Sequence, residues 1–134
     1  MFFLLAVCAL AGAAAVLAAA SVVSLDLKGG YANRTLPACA VRHHFTFFHL
    51  RSPIAMGGSV SPTPTATAWR AKVKVKRCLA GRFRTVWFGY SAGQKDGSFH
   101  ITYRPRLRGF YFARAYYYGV RPTATSDKQY FHVG

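Results

Sequence analysis

From Ala40 onward apolar and polar residues alternate with a period of two rather than 3.6, the signature of half-buried strands. In Val41 to Phe47 the residues Val41, His43, Phe45 and Phe47 share one face, and Arg42, His44 and Thr46 take the other. Ile54 to Val60 is a second short run, interrupted at Gly57-Gly58 and stopped at Ser61-Pro62. No helix survives the Pro/Thr stretch that follows, because proline lacks a donor and clashes with the preceding turn. The cleanest strand is Trp69 to Lys76. Trp69, Ala71, Val73 and Val75 point one way, and Arg70, Lys72, Lys74 and Lys76 the other, as in a sheet with one wet face. Cys78 falls on the lysine parity, so either a bulge resets the face or the residue lies at the sheet's edge.

Ala80-Gly81 then turns the chain, and Phe83 to Tyr90 is an aromatic strand. Gln94-Lys95-Asp96-Gly97 carries hairpin chemistry. Ser98 to Tyr103 alternates again, with Phe99, Ile101 and Tyr103 inward. Pro105 and Gly109 bracket a turn, Phe110 to Tyr118 is a long aromatic strand, Val120 to Ser126 is a loop, and Gln129 to Val133 is a final strand. About seven strands roughly ten residues apart, with no helical window, predict an all-β sandwich, with a small barrel as its structural rival.

The chain before residue 37 reads differently. Met1 to Ala20 is uncharged and rich in Ala, Leu and Val. Ala18 and Ala20 fit the small residues of a signal-peptide cut before Ser21, although no Lys or Arg forms a basic start. The other reading is an uncleaved membrane anchor, since about 20 apolar residues can span a bilayer. Either reading exports the remainder, and only residues 1–23 would touch a membrane. Residues 21–36, with Gly29, Gly30 and Asn33, read as a flexible lead-in. Residues 37–134 are then the folded domain.

Charge narrows the function classes. The chain of 134 residues has 18 Lys+Arg against 3 Asp+Glu, a net charge of +15. The acids are Asp26, Asp96 and Asp127. Paired-carboxylate catalysis and most Mg²⁺ or Ca²⁺ sites need more acid than this. The positive excess favours anionic partners: phosphate backbones, anionic lipid surfaces or acidic cell-envelope glycans. The plainer reading is a solvated basic surface. Beyond Cys8 in the apolar segment only Cys39 and Cys78 remain. In an exported chain this pair reads as one disulfide closing a loop of about 40 residues, worth roughly 3–4 kcal/mol; two free thiols are the alternative.

Several short motifs together resemble bacterial extracellular immunoglobulin-like, or fibronectin III-like, β-sandwich modules. Gly58-Ser59-Val60-Ser61-Pro62 is similar to the strand that opens such a module. Val73-Lys74-Val75-Lys76-Arg77 followed by Gly81-Arg82-Phe83-Arg84-Thr85-Val86 resembles its central hairpin, with Phe83 in the position of a tryptophan. Asp96-Gly97-Ser98-Phe99 resembles its "D-G-x-F" turn and strand, and Gly109 to Ala115 its "G-x-Y-x-x-R-v" strand, which Val133 follows at the end of the last strand. Pro37 to Leu50, with Cys39, His43, His44 and His49, departs from that pattern. The resemblance implies an immunoglobulin-like antiparallel sandwich of about seven strands. It also implies a non-catalytic role in structure, adhesion or carbohydrate binding. Tyr111-x-Ala113-x-Ala115 further fits a tyrosine corner, in which a buried hydroxyl bonds nearby backbone.

The remaining chemistry is sparse. His43, His44, His49, His100 and His132 would have to converge by threes to hold a metal; they read as surface or half-buried residues. No G-x-S-x-G is present, and a disulfide would consume both thiols, so no enzyme, cofactor or metal site is expected. Arg70, Lys72, Lys74 and Lys76, widened by Arg82 and Arg84, form the candidate stripe for an anionic ligand. Exposed lysine on a strand also simply blocks edge-to-edge aggregation. Of Tyr116, Tyr117 and Tyr118 one parity must face out, for stacking on sugars or bases or for a stabilising cross-strand cluster. Nothing in the sequence reads nucleic-acid bases specifically.

Overall fold

The structure, a computed structural model, describes residues 20–134. The export segment expected over residues 1–20, its helix and Cys8 therefore lie, apart from Ala20, outside the described residues. Ten strands follow: β1 (Val22–Lys28), β2 (Ala32–Ala38), β3 (Val41–Phe48), β4 (Ile54–Ser61), β5 (Arg70–Leu79), β6 (Arg82–Ala92), β7 (Ser98–Tyr103), β8 (Gly109–Tyr117), β9 (Ala124–Thr125) and β10 (Gln129–Val133). Among the described residues there is no helix. One sheet has the order β1-β4-β7. The other runs β2-β3-β10-β8-β5-β6, with β9 paired to β8.

The main core lies between the two sheets, so the fold is sandwich-like. Val23, Leu25, Ile54, Met56, Val60 and Phe99 come from the smaller sheet, and Ala71, Val73, Val75, Ala113, Phe131 and Val133 from the larger. Each fully buried Val, Leu, Ile, Met or Phe side chain contributes about 1.5–3 kcal/mol. Ala113 and Ala115 lie opposite Val75 and Val73 in register, and their small side chains leave room for Trp69 and Phe99 in the same cluster. The Trp69 indole N–H donates to the Gln94 carbonyl. The Tyr111 hydroxyl donates to the carbonyl of Leu107, four residues back, as a tyrosine corner does. Along one side the two sheets are tied through Ser91 of β6, whose hydroxyl bonds both the amide and the carbonyl of His100 on β7.

Three sequence expectations need correction here. The lead-in over residues 21–36 contains β1 and most of β2. Val23 and Leu25 alternate with polar neighbours and are buried, at 6% and 3% exposed, so β1 is held by the core. Gly57-Gly58 does not interrupt its strand. β4 is the central strand of its sheet and pairs on both sides through the two glycines, and a Cβ at Gly58 would sit 1.9 Å from the Ser24 carbonyl oxygen. The sheets are also not wholly antiparallel, because β3 and β10 pair in parallel over Thr46–Phe48.

The β2–β3 hairpin builds a second core. Its two turn residues, Cys39 and Ala40, both have positive φ, at 51° and 60°, as the tightest hairpin turns require. Only the last part of β3 pairs with β10. The rest of the hairpin lies over the outer face of the larger sheet, where Phe45, Phe112 and Tyr130 are buried together with Leu36, Val41, Phe83 and Phe110 around them. The Cys39–Cys78 disulfide ties the hairpin tip to β5 across a Cα–Cα distance of 5.9 Å. Cys78 thus stays on the lysine face of β5: the pairing of β5 with β8 runs unbroken through Lys76 and Arg77, and its partner cysteine arrives from above. A bulge does exist, but its extra residue is Val86 on β6.

Candidate ligand-binding face

β5 pairs on both sides, and its register decides what its cations meet. On the outer face Lys72 lies opposite Tyr90, Lys74 opposite Phe88, and Lys76 opposite Thr85 of β6. Across β8 the same three lysines lie opposite Tyr116, Arg114 and Phe112. The result is a ladder of cations over rings. The Arg70 guanidinium sits 4.3 Å from the Tyr90 centroid. The Lys72 ammonium is 4.4 Å from Phe88, Lys74 is 4.8 Å from Tyr116, and Lys76 is 5.7 Å from Phe112. Lys128 approaches the Phe112 ring at 5.0 Å. Such contacts are worth about 0.5–1 kcal/mol each at exposed sites. The lysines are accordingly half-buried rather than free in solvent, with their apolar stems over the sheet and their charged heads outward.

The face divides into two halves. Toward Cys78 it is covered by the β2–β3 hairpin. Toward Arg70 it is open, with Phe88 54% exposed, Tyr90 46% and Tyr118 49%. Tyr116 and Tyr118 stack with centroids 6.1 Å apart and planes 8° from parallel. Arg114 is held in place beside them: its Nε donates to the Ser126 carbonyl at 2.8 Å and its Nη2 to Thr125 Oγ1 at 2.9 Å. The ladder itself contains no carboxylate. Asp26 is on β1 in the other sheet. Asp96 caps the β6–β7 turn, where hydrogen bonds from the Ser98 hydroxyl and amide hold its carboxyl below the usual carboxylate range. Asp127 lines a hollow with Arg114 and Lys128 toward the hairpin, away from the Arg70–Lys74 end. A positive, aromatic surface of this kind attracts polyanions by charge and holds flat groups by stacking.

The predicted residues do not all meet here. Arg70, Lys72, Lys74, Lys76, Tyr116 and Tyr118 do. Tyr117 does not: it is 8% exposed and packs edge-on against Trp69 in the main core, on the opposite parity of β8. Arg82 and Arg84 also stand on the other face. Arg84 pairs with Arg77, and Arg77 pairs with the core residue Tyr111, so the arginines cannot widen the lysine stripe. Arg114 stands beside the exposed tyrosines as expected, whereas Phe88, Tyr90 and Lys128 were not anticipated. Counting back from the Ala80-Gly81 turn places Trp87 and Gly89 opposite Lys74 and Lys72; the extra residue Val86 moves Phe88 and Tyr90 there instead. Three of the five histidines stack: His43 on Tyr130 at 4.0 Å, His49 on Tyr31 at 4.2 Å, and His132 between Phe47 and Phe110; His44 and His100 are exposed. Burial pushes the His132 pKa below its ordinary value.

No protein-family model matches the chain, and no curated protein is similar to it in sequence.

Proposed function

We propose that the chain is a non-catalytic, exported immunoglobulin-like module that adheres to an anionic polymer of the cell envelope through the open half of its outer face. One observation carries this reading: the ladder of Arg70, Lys72 and Lys74 over Tyr90, Phe88 and Tyr116, with no carboxylate in it. Its cations supply long-range attraction, and the exposed rings supply flat apolar surface suited to sugars. The immunoglobulin-like assignment is supported by the order β1-β4-β7 against β10-β8-β5-β6, the tyrosine-corner bond and the buried Trp69 at the start of β5. The likeness of Gly58 to Val133 to fibronectin III-like modules points the same way. Export is supported by the apolar first 20 residues and by the disulfide, a bond that persists in oxidising compartments. The site uses no cofactor or metal.

The test is binding of the full chain to an acidic polysaccharide, to two DNA duplexes of different sequence and to anionic liposomes, each over a salt series. The expected result is binding to the polysaccharide that weakens steeply with salt, as counterion release requires, and no preference between the duplexes. Leakage of the liposomes at concentrations that bind the polysaccharide would favour a secreted membrane-damaging cationic protein instead. Discrimination between the duplexes would overturn the sequence-blind reading.

A further inference from the structure

A second basic site lies on the other side of β5. A cleft of about 630 Å³ opens between the β5–β6 edge and the β7–β8 loop, lined by Arg77, Arg104, Arg106, Trp87, Tyr103 and Tyr111 among others. That volume falls in the range of small-ligand pockets, about 300–1,000 Å³. Its position follows from the strand parity described above. Arg77 and Arg84 share the face of β5 and β6 that the lysines leave, and the smaller sheet ends at Tyr103, so the end of the sandwich is left concave.

Three features define what the cleft can hold. The first is charge: none of its lining residues is acidic, while three of them are arginines. Arg51 adds a fourth, lining the adjoining hollow with Arg104 and Arg106. The second is order. Arg77 is fixed by donating from Nη2 at 2.6 Å and from Nε at 3.2 Å to the Arg108 carbonyl, so one charged group is already aimed before any ligand arrives. The third is the floor. Trp87 and Tyr103 lie with centroids 4.9 Å apart and planes tilted by 38°. Tyr103 is only 9% exposed and belongs to the main core, so it backs the half-buried Trp87, whose ring is the aromatic surface the cleft presents. Burial, together with the neighbouring Tyr111, pushes the Tyr103 hydroxyl up to about 12; it stays protonated and remains a hydrogen-bond donor.

We infer that this cleft binds a carboxylate-bearing sugar unit of an acidic polysaccharide, its ring on Trp87 and its carboxylate between Arg104 and Arg106. The planar guanidinium fork matches a carboxylate with two parallel hydrogen bonds, and aromatic faces suit the apolar faces of sugar rings. No Asn, Gln, Asp or Glu lines the cleft, so the side chains that select adenine or cytosine edges are missing from it. The inference does not depend on the lysine ladder, which lies on the opposite face.

The experiment is a titration of the full chain with a short uronic-acid oligosaccharide, at a salt concentration that already releases heparin from the ladder, followed by calorimetry and tryptophan fluorescence. Its methyl ester, in which the carboxylates are neutral, and inorganic phosphate are the comparison probes. The expected result is saturable one-to-one binding with a fluorescence change that Trp87→Phe abolishes, since Trp69 is buried in the core. Arg104→Gln with Arg106→Gln should weaken binding by about tenfold or more, because charge-assisted hydrogen bonds are lost. Lys72→Gln, Lys74→Gln and Lys76→Gln together should change it less than twofold, which separates this site from the ladder. Should the double arginine variant lose its thermal transition, Arg106→Gln alone is the test. Equal binding of the ester, undiminished binding by the arginine variant, or phosphate binding as tight as the uronate would overturn the inference.

Discussion

The two halves of the outer face are built from the same strands and from the same kinds of residue, yet they serve opposite ends. In the half near Cys78, Phe45, Phe112 and Tyr130 are buried beneath the β2–β3 hairpin. In the half near Arg70, Phe88 and Tyr90 stand exposed under cations, and Tyr118 stands exposed against Tyr116. The difference is coverage, and coverage depends on one covalent tie and one short parallel pairing. Where the hairpin lies, aromatic area becomes stability. Where it does not, Lys and Arg keep exposed aromatic area soluble on a long edge strand and make it available to a ligand.

The sharpest way to break this comparison is to truncate one ring in each half. Phe45→Ala should cost about 3–5 kcal/mol, as large-to-small changes in a closed core do. Phe88→Ala should cost no more than about 1 kcal/mol, the value of one exposed cation–ring contact. Urea denaturation of the two variants measures both; equal losses would mean that the halves are not different. Next in size is the tie itself. Replacing Cys39 and Cys78 by Ser should cost roughly 3–4 kcal/mol through the entropy of a loop of about 40 residues. Amide exchange should then quicken in β2 and the first half of β3 while β1, β4 and β7 keep relative protection. Uniform quickening would show that the hairpin is not a separately held layer.

A smaller effect concerns the seam between the hairpin and the sheet. His132 is wedged between Phe47 and Phe110, its Nδ1 is buried with no hydrogen-bond partner, and burial lowers its pKa. The unfolded chain therefore binds a proton more readily than the folded one. The contribution of neutral His132 is complete above its unfolded pKa of about 6.5 and is lost as pH falls toward the folded value. Chemical denaturation at about pH 7.5 and about pH 5.5, one unit either side of about 6.5, should show lower stability at the acid end. His132→Phe should flatten that slope. An unchanged slope in the variant would place the titrating group elsewhere.

Much of the strand framework was legible. Trp69, Ala71, Val73 and Val75 alternate with four cations, and that pattern alone fixed the inner face of β5. Tyr111 with its small neighbours pointed to the corner bond that forms. What escaped had physical causes. The β2–β3 turn is made by Cys39 and Ala40 at positive φ, where glycine, asparagine or aspartate would have signalled it; the covalent bond and packing hold it instead. β1 does alternate, Val23, Leu25 and Leu27 against Ser24, Asp26 and Lys28, but the adjoining Gly29-Gly30 and Asn33 carry the stronger turn chemistry, so the segment reads as loop. The open half of the site depended on the single extra residue Val86, which changes the face of everything after it in β6. Period-two reasoning locates faces within a strand and fails across an unseen bulge.

The central claim is that position, and not net charge alone, makes the open half the polyanion-binding surface. The most direct measurement is the salt at which three proteins elute from a heparin column: the unaltered chain, the Lys72→Gln, Lys74→Gln, Lys76→Gln variant, and a control with Lys28→Gln, Arg34→Gln and Arg42→Gln. Both variants lose three charges, and the control loses them from exposed positions on β1, β2 and β3. Both should stay folded, because each change removes an exposed or half-buried cation and costs within about 1 kcal/mol. The account predicts that the lysine variant elutes at clearly lower salt than the control. Equal shifts in the two variants, or an unmoved lysine variant, would contradict it.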